Sequence, residues 1–246
     1  ILASLSGAVL LLWNGEWSSA LAQSNGTYAF VTPSALAVMR PEDLSSFRLL
    51  AVGGESLQLS LGQRWGAPKT PGGLWNCYGP TEATVETSVS CVHTDSSHIH
   101  IGPPLPNYSC HIFDAAMRLQ PIGVAGELHI GGIGLAREYL NRPDLTRERF
   151  VPNPYGDSTR TWARLYKTGD LAYYKPNGEL VHLGRMDWQV KLRGQRIELT
   201  EIESAALASV TVDEAAAFIH VRPKMRMLTM NFALSCPSPS PNGAPT

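Results

Sequence analysis

The run Asn76-Cys77-Tyr78-Gly79-Pro80-Thr81-Glu82-Ala83-Thr84 gathers an amide, an aromatic ring, a hydroxyl and a carboxylate around one Gly-Pro turn. Gly79-Pro80 releases the chain from a strand. Beyond the turn, the Thr81 hydroxyl suits a phosphate oxygen, and the Glu82 carboxylate suits a divalent cation that takes oxygen ligands. Before the turn, Asn76 and Tyr78 offer an amide edge and a ring face to a purine. The set fits a nucleotide with its metal, on the kind of loop that carries function over a rigid scaffold. Taken alone, the run also reads as a capped hairpin turn.

Such a loop needs strands to hold it. Residues 8–13 and 28–31 are apolar runs bounded by Gly, Asn and Ser, and read as short buried strands. Pro33 opens a helical stretch from Ser34 to Met39, where the missing N–H costs nothing. Leu49 to Val52 is a further buried strand ending in Gly53-Gly54-Glu55, and a helix follows through Leu57 to Trp65. Strands alternating with helices imply a mostly parallel, doubly wound sheet, which binds ligands at the carboxyl ends of its strands. The Gly53-Gly54-Glu55 and Tyr78 loops then share one site.

From about residue 88 to 185 the pattern changes to short alternating strands broken by Pro-Pro, Gly-Gly and Asn-Gly, consistent with a small distorted barrel. Lys175-Pro176-Asn177-Gly178 between apolar runs predicts a hairpin. A new unit begins at Asp187. It contains a hairpin through Val190 and Arg196, a helix from about Thr200 to Ala208 and a strand from Ala215 to Val221. Thr200-Glu201-Ile202-Glu203 matches a capping box with Thr200 as N-cap. Glu198, Glu201 and Glu203 are read as capping and solvated-face residues. After Cys236 the sequence PSPSPNGAPT reads as disordered. The expected fold class is α/β: a partial doubly wound large subdomain with a distorted β-barrel over 1–186, a truncated small α+β subdomain over 187–235, and a tail over 236–246.

Over 246 residues, 20 basic side chains against 21 acidic ones leave a net charge of −1, and no basic stripe marks a nucleic-acid partner. Cys77, Cys91, Cys110 and Cys236 are widely spaced without a CxxC pair, which suits a reducing, cytoplasmic setting. His98 and His100 can share a strand face, but lack neighbouring ligands for a metal site. The apolar opening ILASLSGAVLLLW has no basic leader, is too short to span a bilayer and runs into Glu16, so a buried element is expected rather than a membrane segment. The segment Gly62 to Thr70 resembles a phosphate loop, but Pro68 stands where its last glycine belongs. Gly132-Ile133-Gly134 begins like a dinucleotide fingerprint, but Arg137 occupies the third glycine position.

Three further motifs follow: GELHIGGIGLAREYL (126–140), YKTGDL (166–171) and GRMDWQVKLRGQRIELTEIE (184–203). With the Tyr78 run, and in this order, they resemble the later core motifs of the adenylation domains of nonribosomal peptide synthetases, within the adenylate-forming superfamily. The resemblance covers roughly residues 28 to 205. It implies that ATP and a carboxylic acid give an acyl-adenylate and pyrophosphate, with Mg²⁺, and that the acyl group passes to the phosphopantetheine thiol of a carrier domain. Carrier and condensation domains are the implied partners, and an amino acid or related carboxylic acid is the substrate. The resemblance assigns Thr81 to phosphate, Glu82 to magnesium, and Asn76 and Tyr78 to adenine, with Gly53, Gly54, Glu55 and Gly79 beside the base. It assigns Asp170 to the ribose hydroxyls, a role that an acceptor-only carboxylate fits, and Arg185 to ribose or phosphate. Asp187 corresponds to the hinge of the small subdomain, and Lys191 and Gly194 to the carrier-arm side.

The implied substrate pocket comprises Ser34, Leu50, Val52, Cys77, Val85 and Glu86. Five are small or apolar, as in most pockets. Glu86, if it faces the pocket, favours a substrate side chain with a cation or N–H donor, because a buried carboxylate needs a partner. The family's phosphate loop and its C-terminal catalytic lysine have no counterpart among these residues, and Lys224 lies in a different context. The chain is therefore expected to be a fragment with little adenylation activity by itself. An acyl- or aryl-CoA ligase and a non-catalytic nucleotide-binding remnant remain open alternatives here.

Overall fold

The computed structural model describes residues 26–40, 47–67, 72–156, 162–187, 189–192, 195–208, 214–221 and 228–235. The strand expected at 8–13 and the tail after Cys236 lie outside these residues. The chain divides into two compact units, 1–186 and 187–246.

In the first unit, strands β1 (Tyr28–Val31), β2 (Leu49–Val52), β3 (Leu74–Tyr78) and β4 (Ser88–Val92) form one sheet in that order. The first three run parallel and β4 returns antiparallel to β3. Between β1 and β2 lies helix α1 (Pro33–Ala37), N-capped by the Thr32 hydroxyl, which accepts from the Ala35 N–H. Helix α2 (Leu59–Trp65) joins β2 to β3 and buries Leu61 and Trp65.

Side chains alternate faces along a strand. Register pairs Leu50 with Leu74 and Leu74 with Val92, so these three share a face, where they pack with Leu36, Phe47, Leu61 and Trp65 into one core. The opposite face carries Phe30, Ala51, Trp75 and Cys77. The expectation that 28–31 is wholly buried is corrected: Ala29 is buried, whereas Tyr28 and Phe30 are exposed. The run is apolar on both faces, but only one of them meets the core.

The second sheet orders β5 (Tyr108–Phe113), β6 (Gly126–Gly132), β8 (Arg164–Tyr174) and β7 (Phe150–Pro152), with β9 (Leu180–Arg185) also paired to β8. Helix α3 (Pro143–Arg149) leads directly into β7. Register shifts between Glu127 and His129 and between Leu171 and Ala172 bend the sheet into a curled half-barrel. Its core is Cys110, Ile112, Leu128, Ile130, Ala172 and Leu180. The β8–β9 turn is the expected hairpin: Gly178 adopts a φ of 84°, and its N–H donates to the Lys175 carbonyl.

The second unit contains the antiparallel hairpin β10 (Gln189–Leu192) and β11 (Gln195–Glu198), helix α4 (Leu199–Leu207), and the antiparallel pair β12 (Glu214–Val221) and β13 (Leu228–Ser235). One expectation fails in this unit. The capping box is absent: Glu198 is the N-cap and makes no side-chain cap, so Thr200 lies inside the helix. Pairing of Gln189 with Glu198 keeps residue 198 extended and sets the helix start. The Glu203 carboxylate instead accepts the backbone N–H of Ala217 on β12, a tertiary contact that overrides the local motif. Strand β13 is an addition to the expected elements, since its apolar run lies beside a Pro/Ser tail.

Candidate functional site

The Tyr78 run leaves β3 at Gly79 and forms a 3-10 turn over Thr81–Ala83. Thr84 and Val85 then adopt φ values of 56° and 73°. Left-handed backbone costs a non-glycine residue about 1–2 kcal/mol, and most for a β-branched side chain. Two such residues in succession persist only where surrounding contacts dictate them. Those contacts are present. The Ala136 N–H donates to the Glu82 carbonyl at 2.7 Å, the Thr84 hydroxyl to the Gly134 carbonyl at 2.6 Å, and the Tyr108 hydroxyl to the Ala83 carbonyl at 2.8 Å. Gly79 is required sterically, since a Cβ there would lie 2.4 Å from the Val85 carbonyl oxygen.

Within this turn the Glu82 side chain is only 6% exposed, and its Oε1 accepts from the Tyr139 hydroxyl at 2.5 Å. Among the described residues, no group of three His, Cys, Asp or Glu side chains is arranged to hold a metal. A lone carboxylate fits Mg²⁺, which takes one or two carboxylates and completes its shell with phosphates and water.

At the start of the same turn, the Tyr78 hydroxyl donates to Asp170 Oδ2. Asp170 Oδ1 lies 3.2 Å from Arg185 Nη1 and 3.3 Å from His182 Nε2. Arg185 is itself fixed by donating to the Thr168 carbonyl at 2.7 Å. Burial works to raise the Asp170 carboxyl, but His182, then the Tyr78 hydroxyl and Arg185, outweigh it and hold the group below the usual carboxylate range. Burial, reinforced by Asp170, pushes the Tyr78 phenol well above its ordinary value, so it stays a donor. His182 packs against the Tyr78 ring, with centroids 5.7 Å apart. Asn76, read as an adenine edge, is buried and donates its Nδ2 to the His100 carbonyl at 2.8 Å, which ties down the 100 loop.

On the sheet face away from the core, Cys77 is joined by Ala51 and Phe30. A Cβ on Gly53 would lie 2.9 Å from both the Cys77 carbonyl oxygen and the Phe30 ring. The Cys77 thiol donates to the Trp75 carbonyl at 3.9 Å, and burial first, and then nearby Glu86, pushes that thiol up to about 12. Burial raises the Tyr28 phenol, and Glu86 and Cys77 raise it further.

Two pocket assignments, Leu50 and Val52, are corrected by this geometry. Leu50 and Val52 are 1% and 0% exposed in the core, on the face opposite Cys77. A one-residue slip along a strand flips every side chain, and the positions that share the face of Cys77 are Ala51 and Gly53. Val85 lies in the strained turn and is 67% exposed. Ser34 gives its N–H and hydroxyl to the Glu55 carboxylate at 3.0 and 3.1 Å, so the Gly53-Gly54-Glu55 loop is pinned to the start of α1. Tyr139 lies within the 126–140 motif, but no local spacing links it to Glu82, nor His182 to Asp170 or Phe30 to Cys77. In the second unit, Asp187 accepts the Gln189 N–H at 3.2 Å. Lys191 lies on β10, its side chain outside the described residues, as is Gly194.

One unit thus holds a buried carboxylate on a strained turn and a second carboxylate fixed by a phenol and a guanidinium, and its sequence and fold are shared with known proteins. The AMP-binding enzyme family matches residues 2–140, and the chain belongs to that family. Its sequence is 41% identical over 199 residues to bacitracin synthase 3 of Bacillus licheniformis, covering 81% of this chain and 3% of that protein. It is 47% identical over 173 residues to tyrocidine synthase 3 of Brevibacillus parabrevis, covering 70% of this chain and 3% of that protein. The chain therefore spans only a small part of the length of these relatives. Among solved structures, holo-PA1221, an NRPS protein containing adenylation and PCP domains bound to a vinylsulfonamide inhibitor, superposes with a TM-score of 0.80 at 29% identity, covering 90% of this chain and 40% of that one. The resemblance to adenylation domains of nonribosomal peptide synthetases holds in both sequence and fold. No helix among the described residues is long and apolar enough to cross a membrane.

Proposed function

We propose that these residues belong to an ATP-dependent, amino-acid-activating enzyme that forms an aminoacyl-adenylate and delivers it to a phosphopantetheine carrier domain in nonribosomal peptide synthesis. The observation that carries this reading is the Asp170 group. Tyr78, Arg185 and His182 orient a carboxylate that stays ionised despite burial, as an acceptor for a ribose diol must be. Glu82 would hold Mg²⁺, which supplies charge against the phosphates when bound. Thr81 is assigned to a phosphate oxygen and Arg185 to ribose or phosphate. The chain's own work is then positioning: two fixed carboxylates and a rigid turn set the nucleotide in line for attack by the substrate carboxylate. Asp187 is the proposed hinge toward thiol transfer, and Lys191 and Gly194 the carrier-arm side.

The substrate reading follows from Glu86. Its neighbours at the pocket wall include a protonated thiol and a phenol, neither of which neutralises it. A substrate side chain bearing a cation or N–H donor complements that wall.

The test is amino-acid-dependent ATP–pyrophosphate exchange in the full natural protein that contains these residues, across a panel of amino acids. Exchange led by basic or amide side chains is expected. Exchange led by aliphatic ones would sink the Glu86 reading, and silence with all of them would sink the activity.

A further inference from the structure

The Glu82 carboxylate and the segment 132–140 are far apart in sequence yet bound at several points. Ala136 holds the Glu82 backbone, and the Tyr139 hydroxyl holds its side chain at 2.5 Å. A carboxylate only accepts, so Tyr139 commits its single hydroxyl proton to Glu82. The phenol is itself fixed. Its ring meets Phe150 edge-on at 5.7 Å, Phe150 packs on Tyr166 at 5.2 Å, and the Tyr139 N–H donates to Thr146 Oγ1 at 2.9 Å. The Tyr166 hydroxyl lies 3.4 Å from that of Tyr139.

We propose that Tyr139 is a positioning residue for the metal–nucleotide complex: its hydroxyl locks the Glu82 rotamer, so that a divalent cation meets a carboxylate already aligned. The inference rests on the reading of Glu82 as the metal ligand. Carboxylates that bind metals are themselves oriented by hydrogen bonds, and removing such a bond typically lowers metal affinity by about ten- to a hundredfold.

The probe is Mn²⁺, titrated by electron paramagnetic resonance in the presence of ATP, on the full natural protein. Tyr139→Phe, which keeps the ring on Phe150, is expected to weaken Mn²⁺ binding by about tenfold while metal-free ATP binding holds. Glu82→Gln tests the underlying reading: unchanged Mn²⁺ affinity there removes Glu82 as the ligand. Loss with Glu82→Gln but none with Tyr139→Phe overturns the role of Tyr139 alone. In the Glu82→Gln background, Tyr139→Phe should add nothing; an independent further loss would overturn the proposal. Tyr166→Phe controls for packing and should leave Mn²⁺ affinity within about twofold. A loss there as large as that of Tyr139→Phe, or of about tenfold where Tyr139→Phe does not fold, would assign the effect to the aromatic cluster and overturn the proposal.

Discussion

The Tyr78 hydroxyl donates to the Asp170 carboxylate across 92 residues of sequence, and so ties the end of β3 to the middle of β8. One bond thereby fixes the spacing between a residue of the Gly-Pro turn and the carboxylate assigned to ribose. Asp170→Asn should lower affinity for AMP by about ten- to a hundredfold, the worth of hydrogen bonds to a charged group. Comparison with 2′,3′-dideoxy-AMP checks the cause. The natural protein should prefer AMP, and the variant should bind both nucleotides alike; a preference that survives the substitution would remove Asp170 from the ribose.

The strained turn makes two substitutions act in opposite directions. Gly79→Ala forces a Cβ to within 2.4 Å of the Val85 carbonyl oxygen and should cost about 1–3 kcal/mol. Val85→Gly relieves a φ of 73° at an exposed position, so it should leave stability unchanged or raise it by up to about 1 kcal/mol, although glycine is ordinarily destabilising in ordered backbone. Urea unfolding of both variants decides this; a large loss for Val85→Gly would contradict the strain.

Burial lowers the His129 imidazole, and burial together with His129 lowers that of His111, its cross-strand partner; Glu127 and Lys167 adjoin them. A group whose folded value lies below its unfolded 6.5 stays neutral in the native state while the unfolded chain takes up protons. Stability from these histidines is therefore complete above about pH 6.5 and declines as pH falls toward their folded values. Melting temperature should drop between pH 7 and pH 5, and His129→Gln should flatten that slope. An unchanged slope would place the titration elsewhere.

The Cys77 thiol, raised by burial and then by Glu86 to about 12, should react slowly with iodoacetamide. Glu86→Gln removes the second contribution and should speed alkylation of Cys77 at pH 8; an unchanged rate would mean that burial alone protects it.

The parts of the fold that are legible in the sequence are those with local cause. β2 is a bounded apolar run, and the 175–178 hairpin carries its own turn residues. The hydrogen-bonded pairs Tyr78–Asp170 and Tyr139–Glu82 depend on separations of 92 and 57 residues, and no local periodicity encodes them. The proposed pocket wall is obscured for a different reason. The motif Leu-Leu-Ala-Val-Gly-Gly is apolar at every position, so composition does not reveal which alternate set faces outward, and Leu50 and Val52 read as plausibly as Ala51 and Gly53. The capping box is lost because Glu203 has a long-range partner in Ala217 that outcompetes its local one.

Leu50→Ala should therefore cost about 2–5 kcal/mol through cavity formation, with substrate preference retained in whatever protein remains folded. Ala51→Leu should shift preference toward smaller amino acids at a modest stability cost. The reverse pairing of effects, read from denaturation and exchange assays together, would return Leu50 to the pocket wall.

That odd–even division along β1, β2 and β3 has an evolutionary consequence. Phe30 is 44% exposed and can change with little effect on the core of the opposite face, whereas Ala51 and Cys77 are buried and tolerate only modest changes of volume. If this face forms the proposed pocket wall, a change of preferred amino acid is reachable by single codon changes that leave Leu50, Val52 and Leu74 untouched. A library fully randomised at Phe30 but limited to small uncharged residues at Ala51 and Cys77, with Leu50, Val52 and Leu74 held constant, would be mostly well-folded protein.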